Sequence, residues 1–282
     1  MTTADQPSLF GPDPHEPLVK PPGHLEEEMR VLITVKAAPN PSETYGETVC
    51  VAGIRIDVEP TQWVRLYPIN FRELESNNTF RKYDIVSVRA RPAPADPRPE
   101  SYRPNISTVR AETNIPKWDR RKVFVIDHVQ ASMCDLLADV RNQPPARSLA
   151  AIRPRMVKNI EIKPHGGWRP DEQAKIDRYV TQENLFGGGP RTPLEAPRFR
   201  GWYDYLCQSA TCKGHKQGIY DWEWVALQRN LRGVSDAVAK EELRNKFFEQ
   251  MCGPDKDTIF YVGNQAKRQQ TFMTLGVFYP KR

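Results

Sequence analysis

No apolar run in the 282-residue sequence approaches the roughly 18–20 residues that cross a bilayer as a helix, which excludes a transmembrane helix. The N-terminus lacks the basic, apolar and small-residue order of a secretory signal, so export is not expected. Cysteine is scarce: five residues, odd in number and unevenly spread, do not make a disulfide framework, and a reducing cytoplasm is the expected setting. Phosphate-loop chemistry is also missing. No Gly-x4-Gly-Lys-Ser/Thr occurs, and Gly187-Gly188-Gly189 has neither the strand before it nor the helix after it that such a loop needs. There is no serine nucleophile elbow and no His-Glu-x2-His helix. His15, His24, His128 and His165 stand alone, which points to solvent or core roles.

What is present is positive charge, unevenly placed. The formal balance is +6, from 41 basic and 35 acidic residues, yet residues 1–30 hold six acids and two bases, so the remainder carries +10. A basic body suits a polyanionic partner, because lysine and arginine release the counterions condensed on phosphates. Residues 1–29 are rich in proline and poor in apolar periodicity, and a disordered tail is expected there. Within it Gln6, Leu9 and Phe10 form a short peptide that resembles the motif by which many bacterial replication and repair proteins bind the DNA sliding clamp, with Pro7 where leucine is commonest. The similar Gln182-Glu183-Asn184-Leu185-Phe186 shows how readily such a pattern arises by chance.

Residues 30–140 read as a β-rich, barrel-like domain. Val31–Val35, Glu47–Ile54, Trp63–Tyr67 and Tyr83–Ala90 are strand-like runs of branched and aromatic residues, and Lys122–Ile126 reads as a fifth. The loop from Arg91 to Pro104 is too proline-rich for a strand core. Arg89, Arg91, Arg98, Arg103, Arg120, Arg121 and Lys122, interleaved with Tyr102 and Trp118, are candidate nucleic-acid contacts, because arginine tracks the backbone while aromatic rings stack on bases. A helix is expected over Ser132–Val140, and residues 141–197 read as a basic connector. Residues 198–282 read as an α+β domain, with a strand over Phe199–Leu206, helices over Asp221–Leu231 and Ser235–Met251, and strands over Thr258–Val262 and Thr271–Tyr279.

The last domain carries the most specific pattern, Cys207-x4-Cys212-x2-His215, with Gly214 free to curl the loop. Zinc takes four tetrahedral ligands from thiolate and imidazole, and this loop offers three. Cys252, at the end of the second helix, is the expected fourth. A redox pair and a nucleophilic cysteine with His215 as base are the competing readings, weakened by the four-residue spacing and by the spare thiol. Asp221 and Glu223 are candidate catalytic carboxylates near a metal, although at i and i+2 of a helix they do not share a face, and Asp221 also suits a helix N-terminus. The block from Cys207 to Asp221-Trp222-Glu223, continued by Cys252, Lys256-Asp257 and Gly276–Pro280, resembles an uncharacterised bacterial family. The likeness spans most of residues 30–282 and supports Cys252 as a ligand.

The sequence thus leads to an α+β protein: a small β-barrel-like domain joined by a basic connector to a zinc-stabilised α+β domain. The expected role is a nucleic-acid-binding accessory in bacterial DNA replication, repair or defence, with DNA ahead of RNA and recruitment by the sliding clamp through the tail. A metal-dependent enzyme acting on nucleic acid and a protein–protein adaptor with a structural zinc are the alternatives.

Overall fold

The computed structural model describes residues 20, 23–42, 46–70, 79–142, 145–181 and 192–282. Runs of branched and aromatic residues organise most of the first half into strands: β1 (Glu27–Lys36), β2 (Asn40–Ser42), β3 (Gly46–Arg55), β4 (Gln62–Ile69), β5 (Asp84–Pro92), β6 (Ser101–Pro104) and β7 (Arg110–Asn114). Five of them close a ring in the order β1-β3-β4-β6-β5 and back to β1. All neighbours in the ring are antiparallel except β4 and β6, which run parallel. Closure leaves no free sheet edge in the ring. The interior is filled by one parity of side chains, among them Met29, Val31, Ile33, Val51, Val64, Leu66, Val86 and Val88.

The proline-rich stretch nevertheless holds a strand. β6 pairs with β5 through Arg91 and Arg103 and closes the ring on β4. The run Lys122–Ile126 is a second departure: it lies in and just beyond a helix, α1 (Trp118–Val125). Its β-branched residues do not decide the matter, because packing overrides propensity. Helical spacing buries Val125 completely while leaving Val123 exposed.

The second half contains β8 (Val129–Gln130), α2 (Met133–Asn142), β9 (Leu149–Ile152), β10 (Met156–Pro164), α3 (Pro170–Thr181), β11 (Phe199–Leu206), β12 (His215–Gly218), α4 (Trp222–Asn230) and α5 (Asp236–Arg244). A π-helical turn, Asn245–Gln250, continues α5, and β13 (Ile259–Gln265) and β14 (Arg268–Phe278) end the fold. The helix starts are sequence-encoded. Asp221 accepts from the Glu223 N–H at the head of α4, and Ser235 accepts from the Val238 N–H at the head of α5.

Residues 141–197 are not a connector. β9 is an interior strand of the sheet β14-β13-β9-β8, and β10 pairs along the whole of β11 in the sheet β10-β11-β12. β9 is buried on both faces, so it shows no alternation in sequence. The boundary at residue 140 moves as well, because Met133, Leu136 and Val140 of α2 belong to the core of the second half.

The four-stranded sheet is a wall between two cores. Ala150, Ile152, Phe260 and Val262 face the helices and the three-stranded sheet. Leu149, Ala151, Ile259 and Tyr261 face Leu32, Ala52, Ile54 and Trp63 on the outside of the barrel. The outer face of β1, β3 and β4 is therefore covered, which is why β1 is buried continuously from Val31 to Val35. Buried polar contacts fix the register of the halves. Arg65 donates to the Ser148 carbonyl (3.1 Å) and hydroxyl (3.0 Å), while Ser148 donates through its N–H and Oγ to Glu100, each at 2.8 Å.

Candidate metal centre and flanking cavities

The hairpin of β11 and β12 ends beside the first turn of α2, and three elements deliver one donor set. Cys207 follows β11 directly, Cys212 lies in the turn, and His215 opens β12. Gly214 sits at φ +115°, the left-handed conformation that lets the loop curl back. Cys134, in α2, completes the group: its Sγ is 3.6 Å from Cys207 Sγ and 3.5 Å from His215 Nε2. His215 Nε2 is 3.4 Å from Cys207 Sγ. All four ligand atoms lie within 4.8 Å of one another, and the group could hold a metal ion.

The thiols are electrostatically unequal. Burial works to raise Cys207, but hydrogen bonds from the Ser209 and Cys134 backbone and from His215 bring it down to about 6. Burial and the neighbouring Cys207 sulfur push Cys134 up to about 12. A bound cation would relieve that conflict, since coordinating thiols are deprotonated outright.

Over the segment that carries these donors, residues 129–282, the sequence matches the family profile described as Domain of unknown function (DUF8757). The chain belongs to that family. A second profile, Domain of unknown function (DUF8758), matches residues 27–127, the barrel and α1. No curated protein matches the chain. The division between the profiles thus falls just before β8, ahead of the helix that supplies Cys134.

Cys252 is not part of the donor group of the DUF8757 segment. Its thiol lies 3.5 Å from the Phe247 carbonyl, behind the π-helical turn, and burial pushes its pKa up to about 12. The wider turn of that helix end carries Cys252 into local packing instead of returning it to the hairpin. Cys134 lies 73 residues before Cys207. Its only sequence signal is a cysteine in the first turn of an expected helix.

Asp221 and Glu223 also face away from the metal donors. Both Asp221 oxygens lie 2.7 Å from Lys82 Nζ, and Glu223 Oε2 lies 3.2 Å from it. Burial pushes Asp221 up to about 6, against the pull of Lys82 and the Glu223 N–H. Burial opposes the charge on Lys82, but the two carboxylates outweigh it and raise its pKa. At neutral pH this is a buried ammonium–carboxylate pair that pins the barrel to α4.

The candidate nucleic-acid residues do not form one surface. Tyr102 is inside the barrel. Arg98 pairs with Asp96 (2.6 Å) and donates to the Asn264 carbonyl (2.6 Å), so it is a strut between the halves. Trp118 packs on Phe278 and Tyr279, and the Arg121 guanidinium stacks on Tyr83 and Trp118. Arg89, Arg103, Arg120 and Lys122 are exposed, with Arg91 half-buried. Gln6, Leu9 and Phe10 lie outside the described residues. No helix among the described residues is long and apolar enough to cross a membrane.

Two cavities flank the junction. One, of about 570 Å3, runs between α3, the β11–β12 sheet, the barrel loop at Ala38–Asn40 and the β13–β14 turn. Trp168, Trp202 and Tyr220 line it, together with five cationic and two carboxylate side chains. Arg200, Lys267 and Arg268 are exposed there. Sequence reasoning missed this site because its parts lie in the supposed connector and in three distant loops. The other cavity, of about 350 Å3, lies beside the Lys82–Asp221 pair.

Proposed function

We propose that the protein binds single-stranded nucleic acid, DNA in the first instance, along the 570 Å3 groove, and that a zinc ion at Cys134, Cys207, Cys212 and His215 holds the wall of that groove in place. The convergence of three aromatic side chains with an excess of cations in one groove carries this reading. Bases stack on aromatic faces whatever their sequence, and each stacked base is worth about 1–3 kcal/mol. Lys163 and Lys216 lie 6.0 Å from the Trp202 ring and extend the positive edge.

The barrel gives a second, weaker support. Taken in chain order, its five ring strands close as one-two-three-five-four, an order used by barrels that bind oligonucleotides and oligosaccharides. Fold likeness alone does not assign function. Here, moreover, the outer face of β3 and β4, where such barrels bind, is covered by the four-stranded wall. The groove beside it is the available surface.

Zinc suits the donor set. A tetrahedron built with Zn–S of about 2.3 Å and Zn–N of about 2.0–2.1 Å has S···S edges of ~3.8 Å and S···N edges of ~3.5 Å. The observed 3.6, 3.5 and 3.4 Å edges agree with it. Three thiolates and an imidazole leave no open position for water, so the zinc is structural and the reaction-centre role for Asp221 and Glu223 is set aside. An accessory role in replication, repair or defence, with clamp recruitment through Gln6, Leu9 and Phe10, remains part of the proposal.

Fluorescence anisotropy of a labelled oligothymidylate tests the reading. Binding should weaken steeply with salt, and Trp202→Ala with Arg200→Gln should weaken it further while the fold is kept. Absence of binding at low salt overturns it.

A further inference from the structure

The sheet β10-β11-β12 has two unlike faces. Burial alternates along β11, so Phe199, Tyr203 and Tyr205 go to the core while Arg200, Trp202 and Asp204 point out. On the neighbouring strand Gln217 and Ile219 are buried, Lys216 and Gly218 point out, and Tyr220 continues the outward row. The register sets Gly218 directly opposite Trp202. A Cβ at 218 would stand 3.1 Å from the Tyr220 ring, closer than ordinary contact, and 3.6 Å from Trp202 Nε1. Its absence lets an indole and a phenol close over the strand from either side. The backbone under Tyr220 is pinned: its N–H donates to the Thr274 carbonyl at 2.8 Å, and its carbonyl accepts from the Ala38 N–H at 2.7 Å.

These two rings differ from the third aromatic side chain of the groove. Trp168 is edge-on to His165 and donates its Nε1–H to the Leu194 carbonyl at 2.8 Å, which makes it a fixed wall. Tyr220 is exposed and Trp202 half-buried, and among the described residues neither packs on another ring. Lys163 and Lys216 flank Trp202, but Glu161 pairs with both and Asp204 also acts on Lys216, so they add no free charge. The excess lies across the groove. Of its two carboxylates, Glu172 pairs with Arg169 and also acts with Arg200, and Glu195 pairs with Arg232. Lys175, Lys267 and Arg268 line the groove with no ion pair among the described residues.

We propose that Trp202 and Tyr220 form a two-ring platform that stacks two successive unpaired bases, that Gly218 is the residue that makes room for it, and that Lys175, Lys267 and Arg268 meet the phosphates. This deepens the single-strand reading of the groove and rests on it. Two adjoining rings on the outward face of a sheet suit successive bases, because every base has a face to stack. The pinned backbone holds the platform ready before the strand arrives, which lowers the cost of binding. Affinity then comes from bases as well as from charge.

Anisotropy competition on the full chain tests this with two strands of equal length and charge, an oligothymidylate and the same backbone without bases. The abasic strand should bind at least tenfold more weakly, since a single stacked base already accounts for about that factor. Gly218→Val forces the rings apart with a residue that suits a strand. It should weaken oligothymidylate about tenfold or more and leave the abasic strand unchanged. If that variant does not fold, Tyr220→Ser, which truncates an exposed ring, should give the same pattern. A wild type that binds neither strand at low salt overturns the groove reading and the platform with it. Wild-type binding that is equal for the two strands overturns the platform alone, as does a folded Gly218→Val or Tyr220→Ser that binds oligothymidylate like the wild type.

Discussion

The barrel and the DUF8757 segment reach stability by different routes. The barrel closes its hydrogen-bond ladder on itself and fills the inside with aliphatic side chains of a single parity. The DUF8757 segment has two sheets that do not close, and its β11–β12 hairpin meets α2 at the Cys3His group, which could hold a metal ion. A closed ring needs no tie. The β11–β12 hairpin buries Phe199, Tyr203 and Tyr205 in the core, and at its end four convergent donors offer a further tie. The DUF8757 segment presents most of the groove's lining, and the barrel adds the loop at Ala38–Asn40.

The largest effect that separates the two should come from the metal. Chelation, or Cys134→Ser, is expected to unfold residues 129–282 first and to lower the melting temperature by ~10 °C or more. Hydrogen exchange resolved by segment measures it; protection lost uniformly across barrel and DUF8757 segment would break the comparison. Next comes the wall between the cores. Trp63 is buried against His128 and Tyr261, and Trp63→Ala should cost about 3–5 kcal/mol in denaturant unfolding. That variant should loosen the junction while leaving metal content unchanged.

The junction ion pair ranks with it. Lys82→Met strands the buried Asp221 carboxylate and should cost about 3–5 kcal/mol. Adding Asp221→Asn should recover much of that, because the uncompensated charge is then gone. A double-mutant cycle with no coupling would contradict the pairing. A smaller effect lies in acid. Burial lowers the pKa of His128 from 6.5 to about 4, and its Nε2 meets Thr61 Oγ1 at 3.0 Å. A histidine whose folded pKa is depressed contributes stability above its unfolded pKa and loses it as pH falls. Wild-type stability should therefore drop between pH 6.5 and about 4 by up to about 3 kcal/mol more than that of His128→Gln.

Legibility followed the same division. Runs of branched residues exposed β1 and β3 in sequence, and alternation exposed β4 and β5. It did not expose β9, whose Leu149–Ile152 run is buried on both faces, nor β6, whose prolines argued against a strand that the ring nonetheless requires. The run at Lys122–Ile126 was read by propensity and settled by packing, with Arg121 stacked between Tyr83 and Trp118 at the head of the helix. Three of the four metal donors were visible because they lie within nine residues of one another. Cys134 was not, because no local pattern encodes a contact across 73 residues, and Cys252 filled its place only through an assumed helical return. Both cavities were hidden for the same reason: each is assembled from segments far apart in the chain.

Metal content is the most direct test of how the DUF8757 segment is held together. Elemental analysis of the full chain, wild type, Cys134→Ser and Cys252→Ser, reads it without assuming any activity. One zinc per chain in the wild type and in Cys252→Ser, with zinc lost in Cys134→Ser, is the expected result. Zinc kept in Cys134→Ser and lost in Cys252→Ser would contradict it.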